Sequence, residues 1–185
     1  MNNCITRRQI ADRLAENQLD HAILPLQNGL SILIAQPGAR IFGPFLTPEG
    51  ESLNWVNGAF ASAAEFRACL ARGEWNLGGE RLWIAPEVQF NVRNRADFWN
   101  TLHVPPAMDP GCYQIHRDSP HQLRMEQDLE LPAYNLATGL KRLQIQSVVQ
   151  LVDNPLRQLS TGAGMMEGVT YAGYQQQISL RERTH

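Results

Sequence analysis

Two adjacent glycines, a glutamate and an arginine stand near the start of the segment from Asn76 to Pro110, NLGGERLWIAPEVQFNVRNRADFWNTLHVPPAMDP, and Trp83, Glu87, Trp99 and His103 follow within it. Glu80 and Glu87 supply carboxylates, Arg81 a guanidinium that can bind in a bidentate way, and His103 an imidazole. Trp83 and Trp99 offer flat apolar faces with one polar edge. Gly78-Gly79 opens backbone angles closed to other residues, while Pro86, Pro105 and Pro106 fix φ and remove donors. Rigid loops, planar rings and paired polar groups suit a polyhydroxylated ligand.

Each of these residues also has a structural alternative. Glu80 and Arg81 either meet a ligand or pair with other charges to hold the loop. Trp83 alternates with Arg81 and Ala85 in a strand-like run, so regular pairing turns either Trp83 or Arg81 to the core. Glu87, between Pro86 and Val88, suits a buried carboxylate that accepts backbone donors or a ligand hydroxyl. His103, ahead of Val104-Pro105-Pro106, is either an acid or a satisfied structural histidine.

Other chemistries lack their residues. There is no Gly-x-Ser-x-Gly elbow and no P-loop, and the paired glycines precede a tryptophan-bearing strand rather than a helix, which disfavours nucleotide chemistry. The histidines at 21, 103, 116, 121 and 185 form no pair at ligand spacing on one element, and Cys-x-x-Cys is absent, so neither a metal nor another cofactor is expected. His116 and His121 flank a turn at Asp118-Ser119-Pro120.

With 16 basic and 18 acidic residues the net charge is −2, which argues against nucleic acid or an anionic membrane as partner. Cys4, Cys69 and Cys112 are scattered and odd in number, a pattern of reduced thiols. The N-terminus carries no apolar leader and no stretch approaches the length of a membrane span, so a cytoplasmic protein is expected.

The positioning elements follow from periodicity. Residues 5 to 17 predict a helix, with Thr6-x-x-Gln9 as a capping box and Ile10 and Leu14 on one face. Ala22 to Leu26 and Leu30 to Ala35 predict strands, Ala39 to Gly43 a return strand, and Leu53 to Asn57 a further short one. A second helix starts at the capping box Ser62-x-x-Glu65, carries Phe66, Cys69 and Leu70, and ends at Gly73. Leu123, Met125, Gln127, Leu129 and Leu131 alternate with Arg124, Glu126, Asp128 and Glu130; Leu143 to Leu151 repeats the pattern, and the two should pair. A Gly-rich turn at Ser160 to Gly164 and a last strand from Val169 to Leu180 complete the prediction.

The pattern GGERLWIAPE, then an aromatic-rich segment and HVPPAMDPGCY, resembles uncharacterised families of the galactose mutarotase-like, or aldose 1-epimerase-like, β-sandwich superfamily. The upstream order GLSILIAQ, GARIFG, SLNWVN and the late GVTYAGYQQQISL are similar too, so the resemblance spans roughly residues 22 to 181. It implies a mainly β, antiparallel sandwich over residues 1–185, with two short peripheral helices, the first within residues 1–20. It also implies a carbohydrate or sugar derivative as ligand, bordered by Glu80, Arg81, Trp83 and Arg40, although Arg40 is equally readable as a surface arginine covering apolar atoms with its stem.

An active member would protonate the ring oxygen with a histidine and deprotonate the anomeric hydroxyl with a carboxylate, the roles that fall to His103 and Glu87. A noncatalytic structural or assembly module is the remaining alternative. Well-studied epimerases are considerably longer. This chain is therefore expected to be either a truncated supersandwich or a half-sandwich that pairs its open sheet edges with a second copy.

Overall fold

The apolar run Ile32 to Ala35 demands cover on both faces of its strand, and every position of Ser31-Ile-Leu-Ile-Ala35 is buried. In the computed structural model, which describes residues 4–134, 139–155 and 168–183, this strand is the middle of three: β1 (His21–Pro25), β2 (Ser31–Ala35) and β3 (Arg40–Phe45), antiparallel in the order β1-β2-β3. A four-stranded antiparallel sheet runs in the order β4 (Gln114–Ser119), β5 (Gln122–Pro132), β6 (Leu140–Leu151) and β7 (Tyr174–Glu182). The protein is thus mainly β, built from two antiparallel sheets with a few short helices.

The two sheets share one apolar layer. Leu24, Ile32, Ile34 and Ile41 from the first meet Leu123, Met125, Leu131, Ile145 and Val149 from the second in a single buried cluster. The other face of the three-stranded sheet, presenting Leu33, Ala35, Phe42 and Phe45, packs against Ile10 and Leu14 of α1 (Arg7–Glu16) and against Phe66 and Cys69 of α2 (Ala63–Ala71). Phe60 lies between, 4.4 Å from the Phe66 ring centroid and edge-on to Phe42 at 5.7 Å. Helices, small sheet and large sheet therefore form three layers.

Both helix starts obey their sequence signals. The Thr6 side chain accepts from the Gln9 backbone N–H (3.2 Å) while Gln9 Oε1 accepts from the Thr6 N–H (2.9 Å). At α2 only half of the expected box forms, the Ser62 side chain accepting from the Glu65 N–H while its hydroxyl, not its backbone N–H, donates to Glu65 Oε2. Gly73 sits at φ +68° past the end of α2, and its N–H donates to Leu70 O. The alternation in β5 and β6 also holds. The pair runs in register from Gln122 opposite Gln150 to Pro132 opposite Leu140, with Leu123, Met125, Gln127, Leu129 and Leu131 buried.

Three expectations need correction, and one strand went unpredicted. Leu53 to Asn57 is not a strand; its one ladder contact is the bridge between Val56 and Gly78. The run from Arg81 to Ala85 is irregular rather than strand-like, because positive φ at Gly78 (+92°) and Gly79 (+71°) breaks any continuing ladder. The last strand begins at Tyr174, not Val169, and extends to Glu182. Strand β4 was not foreseen. It is an edge strand, mostly exposed and bulged where it meets β5, and so carries no clean alternation. The expected turn at 160–164 lies outside the described residues.

Candidate functional site: a buried arginine–aspartate cluster

Backbone contacts so close that no side chain could fit explain the paired glycines. A Cβ on Gly78 would collide with Trp55 O and lie 2.7 Å from Val56 Cα; one on Gly79 would lie 2.8 Å from Ile41 O. Through these approaches Gly79 N–H donates to Trp55 O (2.8 Å), and Ile41 and Glu80 exchange two backbone hydrogen bonds at 2.8 and 2.9 Å. The glycines serve as a backbone clasp that fixes where Glu80 and Arg81 leave the edge of β3.

Arg40, at the start of β3, is 1% exposed; the reading of it as a surface arginine does not hold. Its guanidinium donates to Gly78 O, Trp75 O and Asp109 Oδ2, each at 2.6 Å. Asp109, whose side chain is 3% exposed, accepts a second guanidinium on the same oxygen, from Arg81 Nη1 at 2.5 Å. Gly38 makes room for it: a Cβ there would lie 2.9 Å from Asp109 Oδ1. Burial pushes the Asp109 carboxyl above the ordinary carboxylate value, against the pull of the two cations, and burial lowers Arg40 from its usual value.

The Arg81 side chain is 18% exposed and lodges against two indoles, its guanidinium carbon 4.2 Å from the Trp75 centroid and 3.9 Å from that of Trp83. The two ring centroids are 5.9 Å apart, so the indoles form two walls of a corner rather than opposite sides of a sandwich. Both Arg81 and Trp83 are half-buried; the choice between them that a regular strand would impose does not arise. Trp83 Nε1 is buried without an acceptor. Glu80 is exposed beside the cluster, and its Oε2 accepts from the hydroxyl of Tyr174 in β7 at 2.5 Å, which ties the central segment to the large sheet. Burial and that carboxylate raise the Tyr174 hydroxyl above its ordinary value.

The structure thus brings Arg40, Arg81 and Trp83 together, with Glu80 at the margin. It does not bring His103 and Glu87 to them by any hydrogen bond or ion pair among the described residues. Glu87 is exposed in the first turn of α3 (Glu87–Asn91). His103 closes the loop that follows: Val92 bridges Leu102, and the His103 N–H and Nδ1 both lie against Asn91 O, at 2.8 and 3.0 Å. That geometry places the proton on Nδ1 and turns Nε2 toward the Tyr134 hydroxyl, 3.5 Å away. Trp99, in α4 (Phe98–Thr101), is 81% exposed on the same loop. His116 pairs with Glu126 across β4 and β5, at 3.2 Å.

Sequence reasoning missed Asp109 and Trp75. The signal for Asp109 is chemical: two arginines drawn into apolar surroundings need a buried anion, and Asp109 sits between Met108 and Pro110 in the same proline-rich stretch. A separate cleft of about 520 Å³ is lined by Glu51, Ser52, Asn54 and Trp55, the last 61% exposed. Among the described residues no group of three or more His, Cys, Asp or Glu could hold a metal ion, and no helix is long and apolar enough to cross a membrane.

Fold and site together define a two-sheet antiparallel β protein whose central segment is anchored by one carboxylate shared between two arginines. Residues 22–184 match the model of a family of unknown function, DUF6786, and the chain belongs to that family. No curated protein and no solved structure matches it.

Proposed function

We propose that the protein binds a carbohydrate or sugar derivative at Arg81, between the indoles of Trp75 and Trp83. The observation that carries this reading is a guanidinium held by Asp109 Oδ2, seated in an aromatic corner, with its other N–H groups free of acceptors among the described residues. A charged donor already fixed in place loses little rotamer freedom on meeting a pair of hydroxyl oxygens. The likeness to the galactose mutarotase-like superfamily supports the same ligand class.

The rival reading, an aldose 1-epimerase-type isomerase, asks His103 and Glu87 to flank one sugar. His103 is engaged at both ring nitrogens, by Asn91 O and by the Tyr134 hydroxyl, and Glu87 is exposed on α3, so binding without catalysis is the better supported of the two.

Calorimetric titration with glucose and galactose tests both. Binding should weaken about tenfold or more in Arg81→Gln, the order expected for losing a charged hydrogen-bond donor, and stay unchanged in Trp55→Ala. Loss in Trp55→Ala alone would move the ligand to the cleft lined by Trp55, and absence of binding by any sugar, neutral or charged, would end the proposal. Faster anomer exchange by polarimetry, abolished in His103→Ala, would reinstate the isomerase.

A further inference from the structure

Charge and hydrogen-bonding capacity around Arg81 do not balance. Two guanidiniums, Arg40 and Arg81, share one carboxylate, Asp109, and both bonds land on Oδ2. Glu80, next in the chain, makes no ion pair with Arg81 and is bonded to Tyr174 instead. Within the directly bonded cluster two cations thus meet one anion, with the Glu80 carboxylate at the margin engaged by Tyr174. Arg40 is buried among carbonyls and Asp109, whereas Arg81 is the member that reaches solvent.

The unused groups on the open side are the N–H donors of Arg81, which among the described residues makes one hydrogen bond, through Nη1; the Trp83 Nε1–H, in the ring against which Arg81 rests, also lacks an acceptor but is buried. The one unused acceptor, Asp109 Oδ1, faces Gly38 and Arg40 on the buried side. A neutral sugar, whose hydroxyls donate as readily as they accept, would add no second anion. A planar carboxylate supplies acceptors alone and fits a guanidinium edge in a paired geometry.

Resting on the carbohydrate reading, we infer that the ligand is an acidic saccharide whose carboxylate lies on the free N–H groups of Arg81, with its ring toward the indole corner. The donor set and the two guanidiniums on one directly bonded carboxylate favour this over an uncharged hexose.

Calorimetry on the full chain with glucuronate, glucose, glucose 6-phosphate and acetate tests it. Glucuronate should bind at least roughly tenfold tighter than glucose, the size of one charge-assisted contact, and the preference should shrink as salt rises. In Arg81→Gln, with its melting temperature recorded, the preference should vanish while weak glucose binding persists. Should that variant fail to fold, the ratio in the wild-type chain still decides.

Equal binding of glucuronate and glucose would overturn the acidic-sugar inference and leave the carbohydrate proposal standing. Acetate as tight as glucuronate would overturn both and leave a simple anion site, and no binding by any sugar would also overturn both. Tighter binding of the sugar phosphate than of glucuronate would replace the carboxylate by a phosphate. Retention of the preference in a folded Arg81→Gln would remove Arg81 from the site.

Discussion

The three-stranded sheet is attached to its surroundings in two unlike ways. Toward the helices it presents hydrocarbon: Leu33, Phe42 and Phe45 against Ile10, Leu14 and Phe66. At the start of β3 it presents charge, Arg40 bonded to Asp109 and to the carbonyls that frame the glycine clasp. The apolar contact is made of many small, interchangeable terms, so losses there are graded. The ionic one rests on a single carboxylate. Remove it and two cations are left facing each other in a place where solvent reaches Arg81 and hardly reaches Arg40.

The largest expected effect tests the ionic side. Asp109→Ala should cost roughly 3–5 kcal/mol, the penalty for leaving a buried charge unpaired, measured by chemical denaturation. A loss below 1 kcal/mol would mean that water or rearrangement neutralises Arg40, and the contrast would disappear. Next comes the apolar side. Leu33→Ala, in the strand buried on both faces, should cost about 2–5 kcal/mol, whereas Gln177→Ala on the solvent face of β7 should stay within about 0.5 kcal/mol. Equal costs would show that the outer face of the large sheet is covered after all.

The smallest effect is a titration. Burial holds the Tyr113 hydroxyl up at about 12 instead of the usual 10, and Tyr174 is raised as well. Because the folded state favours the neutral phenol, the associated stability is whole below pH 10 and is lost as pH climbs from 10 through about 12. Alkaline difference absorbance should therefore show two of the four tyrosines ionising late. A single transition near pH 10 for all four would mean that the layer containing Tyr113 is open to water.

The two sheets differ in what their sequences disclose. In β5 and β6 one face is buried and the other is wet, so the period of two is printed in the residues and even the pairing of the two strands can be deduced. In β2 both faces are covered and the period vanishes, although its flanking turns still mark it. The starts of α1 and α2 were legible because a side-chain N-cap is local chemistry, complete within four residues, whereas α3 and α4 begin without one. The central segment follows no period. It is stitched by single contacts, Ile41 to Glu80 and Gly79 to Trp55, and these depend on where other parts of the chain already lie.

The same division separates the site residues. Arg81, Trp83, Glu80 and Arg40 could be named from residue types and from the family-like pattern around them. The partners Asp109 and Trp75 could not, since Asp109 is 69 residues from Arg40 and 28 from Arg81 along the chain. By itself the sequence determined the strand-rich class and the starts of α1 and α2, because each depends on neighbours a few residues away. Only the tertiary structure decided that Arg40 is buried, that one carboxylate serves two guanidiniums and that His103 is bonded within its own loop, because burial and charge pairing are properties of distances in space.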